Sequence, residues 1–102
     1  MPDCDYIRSE IAVYAAAITV DQASVTVAQN QLASDEAAYS YWLQQGYQHG
    51  CTTGAPEQER KLDFRDLQTY RMTVDKSKKE LARLQKILDK LVKIRDRLKG
   101  KQ

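Results

Sequence analysis

Residues 67–98 read LQTYRMTVDKSKKELARLQKILDKLVKIRDRL, and this stretch decides the fold. Its apolar side chains recur at alternating intervals of three and four residues, which aligns them on one side of an α-helix in a coiled-coil heptad. Only Ser77 and Arg95 are polar in this row, which we call the second-helix seam. Its apolar members are Leu67, Tyr70, Val74, Leu81, Leu84, Leu88, Leu91 and Leu98. Because glycine and proline are absent from residue 57 to residue 99, we predict a helix over about 57–99.

The first half of the chain carries a less regular heptad. Asp21 and Asp35 are its polar exceptions, and two β-branched triplets, at 18–20 and 25–27, alternate locally as strands do. The heptad nevertheless continues through both triplets and no turn residue interrupts them, so we predict a helix over about 4–45. The apolar members of this first-helix seam are Ile7, Ile11, Tyr14, Ile18, Val25, Ala28, Leu32, Tyr39 and Trp42.

Glycine and proline cluster between the two helices, from Gly46 to Pro56. The sequence therefore predicts one mainly α domain over 1–102, a long antiparallel helical hairpin resembling a coiled coil, with a turn or β-hairpin within about 46–64. Two alternatives stay open for the turn: an irregular loop, or a short β-hairpin pairing 47–51 with 60–64 around Thr53-Gly54. Folding the chain about residue 51 would place Leu32 near Tyr70.

Residues suited to catalysis or metal binding are scarce. The single histidine, His49, and the nearby Cys51 lie in the predicted turn, and a structural zinc site requires four ligands. Cys4 and Cys51 would lie roughly 60 Å apart at opposite ends of the first helix, too far for a disulfide. No phosphate-binding glycine motif occurs. We therefore expect no enzyme activity, no catalytic residues, no cofactor and no metal.

The N-terminal sequence Met-Pro-Asp-Cys-Asp lacks the basic start and apolar core of a signal peptide. No unbroken apolar run approaches the ~20 residues of a membrane span. We therefore expect a protein that remains in the cytoplasm of the cell that makes it and has no membrane span.

The side of the first helix opposite its seam is unusually apolar. Between residues 11 and 34 the only charged residue is Asp21, whereas a solvent-facing helix surface normally carries charge. A helix that is apolar on two sides is usually buried on two sides, so this surface predicts contact with another subunit. A solvated surface of Ala, Thr and Gln is the alternative. We call the row the outer stripe; its predicted interface residues are Val13, Ala16, Val20, Ala23, Val27 and Tyr41.

The second helix carries a basic row opposite its seam. Residues 1–75 have 5 Lys/Arg and 11 Asp/Glu, a net charge of −6, whereas residues 76–102 have 11 and 3, a net charge of +8. Such a row could contact a nucleic-acid backbone, an acidic protein or an acidic membrane surface, but Asp75, Asp89 and Asp96 run beside it, which also suits a solvated or ion-paired surface. We call it the basic ridge: Lys76, Lys79, Arg83, Lys86, Lys90, Lys93 and Arg97.

Several short motifs lie in and after the predicted turn: Tyr47, Thr52-Thr53-Gly54, the stretch 60–64, Arg65-Asp66-Leu67 and Arg71. Through these motifs, residues 40–90 resemble a group of small tailed-phage virion proteins, the head–tail joining or neck proteins. The resemblance implies a helix, a short β-hairpin and a second helix opened by Arg65-Asp66-Leu67, in a non-enzymatic virion component. This chain departs from the group by a longer first helix and by Ala-Pro-Glu-Gln after the turn.

Together these features predict a structural or assembly protein that packs its helices against other subunits, with copies of itself, virion proteins or both as partners. A head–tail neck component of a phage particle, present in the host cytoplasm and then in the virion, is the specific expectation. The alternative is a nucleic-acid-associated or regulatory coiled-coil adaptor that uses the basic ridge.

Overall fold

The computed structural model describes residues 4–46 and 57–102 in backbone, and 4–44 and 67–102 in side chains. It contains two α-helices, α1 (Cys4–Gly46) and α2 (Glu57–Lys99), and no strand among the described residues. The predictions of a mainly α fold and of two helices are confirmed. Neither helix contains a proline, and the one glycine in them is the last residue of α1.

α1 remains helical through its two β-branched triplets. The hydroxyl groups of its threonines form hydrogen bonds that are compatible with the helix. Thr19 Oγ1 donates to the Ala15 carbonyl at 3.1 Å, and Thr26 Oγ1 donates to the Gln22 carbonyl at 3.1 Å. Each hydroxyl is thus bonded one turn back along its own helix, a pattern open to threonine within helices. The strand alternative for this region is excluded.

The C-terminus of α2 is closed by backbone hydrogen bonds. The Gly100 N–H donates to the Asp96 carbonyl at 3.0 Å, and the Lys101 N–H donates to the Leu98 carbonyl at 3.0 Å. Arg97 and Lys99 lie in the last turn, where positive charge interacts favourably with the helix dipole.

The chain divides into two compact units, each combining a length of α1 with a length of α2. The first unit contains Met1–Ala28 and Leu81–Gln102, and the second contains Gln29–Glu80. In both units the pairing joins segments far apart in sequence, in the manner of a helical hairpin, as predicted.

Each unit has a small core. In the first unit Ile7, Ile18 and Val25 are buried, and in the second Val74 is buried. Much of the rest of both seams is only half-buried, and no described side chain is completely enclosed. The described residues therefore bury little apolar surface.

The second unit shows which residues of the two seams meet. The Trp42 and Tyr70 rings stack with centroids 5.9 Å apart and planes inclined by 19°, and the Ser77 hydroxyl donates to Asp35 Oδ2. The prediction that Leu32 lies near Tyr70 is wrong, because ten residues separate Leu32 from Trp42, about 15 Å of helix. A heptad repeat has the same apolar spacing at several alignments, and the aromatic and polar pairs distinguish between them.

The predicted turn is only partly described. Residues 47–56, which include His49, Cys51 and Thr53-Gly54, lie outside the described residues. Residues 60–64 are helical within α2, so the β-hairpin alternative for the turn, which would pair them with 47–51, is not supported. Arg65-Asp66-Leu67 likewise does not open the second helix, which begins at Glu57.

Candidate protein-interaction surfaces

The outer stripe is exposed where α1 runs through the first unit. Val13, Val20 and Val27 are 60%, 69% and 68% exposed, whereas Ile18, two residues from Val20, is 3% exposed. Two residues correspond to about 200° of helical rotation, so the seam and the stripe lie on nearly opposite sides of α1. Ala16 and Ala23, between the valines, are exposed as well.

The stripe offers few polar groups to water. Thr19, Ser24 and Thr26 flank it, and their hydroxyl groups donate to the carbonyls of residues 15, 20 and 22 at 3.1, 3.3 and 3.1 Å. With these donors bonded to the helix itself, the surface presents mainly methyl groups. This observation favours a packing surface over the alternative of a solvated polar one.

The only charge between residues 11 and 34 is not on the outer stripe. Asp21 occupies the first-helix seam, is half-buried, and has a buried Oδ2 without a hydrogen-bond partner. The exposed side of α1 from residue 11 to residue 28 therefore has no charged side chain. A partner that packs on it has no charge to desolvate there.

Two tyrosines occupy the same heptad position as the three valines. Tyr41, a predicted interface residue, is exposed in the second unit and makes an edge-to-face contact with Trp42, with ring centroids 5.4 Å apart. Tyr6 precedes Val13 by one heptad in the first unit and is also exposed. The sequence interpretation omits Tyr6, although the seven-residue spacing identifies it.

The basic ridge is exposed along its whole predicted length. Lys76 and Lys79 belong to the second unit and the other five residues to the first. The five in the first unit span 83–97, about 21 Å of helix. Arg95 is not one of them: it lies in the second-helix seam, and its Nε is 3.2 Å from Asp96 Oδ1.

Within the described residues, no group of three or more His, Cys, Asp or Glu side chains could hold a metal ion. Cys4 is an exposed free thiol. His49 and Cys51 lie in the part of the chain that is not described, so the expectation that they have no catalytic or metal-binding role stays a prediction.

α1 has one further property, which follows from its composition. Over Cys4–Gln44 it is long and apolar enough to cross a membrane, although only a small share of its most apolar stretch is buried. A single helix of this kind is weak evidence for a membrane span, because soluble core helices and signal sequences share the property. The sequence interpretation considered only unbroken apolar runs, and its expectation of no membrane span stays a prediction.

Comparison with known proteins finds no matching family model, no matching curated protein and no matching solved structure. The interpretation of the outer stripe and the basic ridge as interaction surfaces therefore depends on their geometry and chemistry alone.

Proposed function

We propose that this protein is a non-enzymatic structural subunit that assembles with other protein chains through the outer stripe of α1. The observation that carries the proposal is the exposure of Val13, Val20 and Val27 on a surface without charge, flanked by hydroxyl groups bonded to their own helix. Apolar surfaces of this kind on soluble chains often mark contact sites.

The small core of the hairpin supports the same proposal. A chain of 102 residues buries a modest share of its surface, and the described residues enclose no side chain completely. Packing a second side of α1 against a partner would add apolar burial that the hairpin lacks. Assembly would thus stabilise the subunit as well as connect it.

The magnitude of the contact is modest. Full burial of a valine contributes ~1.5–3 kcal/mol, so three valines already one-third covered would contribute roughly 3–6 kcal/mol. Association costs an estimated 4–15 kcal/mol, so the valines alone do not give a tight complex. The small residues Ala16 and Ala23 matter because they allow a partner backbone to approach closely and extend the contact.

The finer proposal is that the subunit belongs to a phage virion, as a head–tail neck component. Its support is the resemblance of residues 40–90 to that group of proteins. The helical state of residues 60–64 is a departure from the group, which would have a strand there. The assembly role does not depend on this placement.

The substitution Val20→Lys tests the proposal. It places a charge at the centre of the stripe, on the side of α1 opposite the seam, so we expect the helical circular dichroism signal to remain while native mass spectrometry shows loss of the assembly. Met72→Lys is the matched control, since Met72 is also 69% exposed but lies on α2. An assembly that persists in a helical Val20→Lys protein would refute the proposal.

A second candidate function is supported by the exposed basic ridge, which would serve a nucleic-acid-associated or regulatory adaptor. Neutralising phosphates releases counterions, so binding would weaken steeply with salt. We compare Lys86→Glu/Lys90→Glu with Lys78→Glu/Lys99→Glu, which changes the net charge equally but away from the ridge. A reduction of roughly 2 in the salt-dependence slope for the ridge variant alone would favour this candidate. No retention of the wild-type protein on DNA would exclude DNA binding by the basic ridge.

A further inference from the structure

We infer that the partner covering the outer stripe is a second copy of this chain, whose α1 packs antiparallel to the first about a two-fold axis at Val20. The inference rests on the proposed function and deepens it by naming the partner. The contact lies within Met1–Ala28 of each copy, the α1 portion of the first unit.

Self-complementarity of the stripe is the main support. A two-fold axis at Val20 brings residue i of one copy opposite residue 40 − i of the other, as an isologous interface requires. Val13 then meets Val27, and Val20 meets its own copy. The positions between them also match in size: Ala16 faces Ala23 along one edge of the row, and Ala17 faces Ser24 along the other. Large and small residues therefore alternate identically in both directions along the helix.

Polar groups allow the same close approach. Ser24 lies opposite Ala17 in this arrangement, and its hydroxyl already donates a hydrogen bond to the Val20 carbonyl at 3.3 Å. Thr19 and Thr26, beside the axis, have hydroxyls bonded to their own helix in the same way. Two copies can therefore meet without leaving these donors unpaired.

The antiparallel direction of the packing is favoured by the positions of Glu10 and by the helix dipoles. Glu10 lies at the edge of the stripe, one turn before Val13. Parallel, in-register packing would place the two Glu10 side chains at the same level along the contact and the two helix dipoles side by side with like ends together. Antiparallel packing about Val20 separates the two Glu10 residues by about 20 positions, roughly 30 Å, and opposes the dipoles.

The contact is small. From Val13 to Val27 the stripe is about 21 Å long on a helix about 10 Å wide, well below the ~800 Å² per partner of a standard interface. The dimer should therefore be weak and concentration-dependent, so its detection requires a titration or covalent capture.

Cysteine crosslinking tests both the partner and its direction. In a full-length Cys4→Ser/Cys51→Ser background, Val13→Cys and Val27→Cys proteins of different tagged mass are mixed and treated with a short bismaleimide. We expect the mixture to give the mixed Val13→Cys–Val27→Cys dimer, and each protein alone to give little more product than Met72→Cys. Met72→Cys supplies the background from random collision, because residue 72 is as exposed as residue 20.

Each other outcome would overturn the inference in a recognisable way. Self-crosslinking of Val13→Cys alone, at the level of the mixture, would mean parallel packing. No product above Met72→Cys, with an assembly that Val20→Lys still dissociates, would mean a different protein partner and would leave the proposed function standing. Capture of the wild-type protein but not Val20→Lys by phosphatidylcholine vesicles, without crosslinking, would mean a lipid occupant. An assembly unaffected by Val20→Lys would refute both the proposed function and the inference that the partner is a second copy.

Discussion

Ile18 supplies the sharpest test of how the first unit is held together. It is 3% exposed and lies on the seam side of α1, so Ile18→Ala removes buried methyl and methylene groups and leaves a cavity. Such substitutions cost ~2–5 kcal/mol, and the lower half of that range applies here, since two helices can relax around a cavity more easily than an enclosed core. A domain of this length is stable by about 5–15 kcal/mol, so the loss is a large fraction.

Thermal unfolding followed by circular dichroism measures the effect. Each kcal/mol shifts the midpoint of a domain near 100 residues by about 4–8 °C, so a loss of about 2–3 kcal/mol predicts a fall of roughly 10–20 °C. Ile18→Val removes one methylene and should cost ~0.5–1.5 kcal/mol, which keeps the test readable if the alanine variant does not fold. All proteins must be compared at one concentration, because self-association makes the midpoint concentration-dependent.

Met72→Ala is the control for Ile18→Ala, because it truncates an apolar side chain that is 69% exposed. Substitutions at exposed sites usually change stability by no more than ~0.5 kcal/mol, so the midpoint should shift by only a few degrees. Equal shifts for Ile18→Ala and Met72→Ala would show that Ile18 is not packed against α2 and would refute the seam assignment for α1.

The second unit gives two further predictions, and Cys4 gives a third. Tyr70→Leu should shift the emission of Trp42, the single tryptophan, to longer wavelength and cost ~0.5–1.5 kcal/mol, because the stacked ring is lost; an unchanged spectrum would contradict the contact. Ser77→Ala should cost ~1–3 kcal/mol in chemical denaturation by leaving Asp35 Oδ2 without its donor, whereas the exposed Ser34→Ala should be nearly neutral. Cys4 should react with iodoacetamide as readily in the native protein as in the denatured protein, since it is exposed; protection would mean that the start of α1 is covered.

The two helices could be predicted from the sequence because their heptads are long and free of internal glycine and proline. The β-branched triplets of α1 made a strand plausible, and the bonds from Thr19 and Thr26 to their own helix show why the helix tolerates them. The start of α2 at Glu57 could be predicted from the absence of glycine and proline after Pro56, and not from the heptad, whose first seam residue is Leu67.

The outer stripe could also be predicted, since a seven-residue spacing places Val13, Val20 and Val27 on one side of any helix. The contact between Trp42 and Tyr70 could not. Heptad spacing reports which side of a helix is apolar but leaves the alignment along the partner ambiguous, so Leu32 and Trp42 were both compatible with Tyr70. The ambiguity is resolved by knowing which polar residues of the two seams face each other. That knowledge requires the coordinates.

The hydrogen bond between Ser77 and Asp35 has a consequence for how many alignments the two helices can adopt. If α2 slid by one heptad, apolar residues in the middle of the two seams would still meet apolar residues, but Asp35 would face Leu84 and Trp42 would face Ser77. The carboxylate would then lose its donor and the indole its stacking partner. A variant with leucine at both 35 and 77 could gain stability while populating several slid forms, which would broaden its NMR spectrum. We therefore expect Asp35 and Ser77 to favour a single alignment of the two helices at some cost in stability.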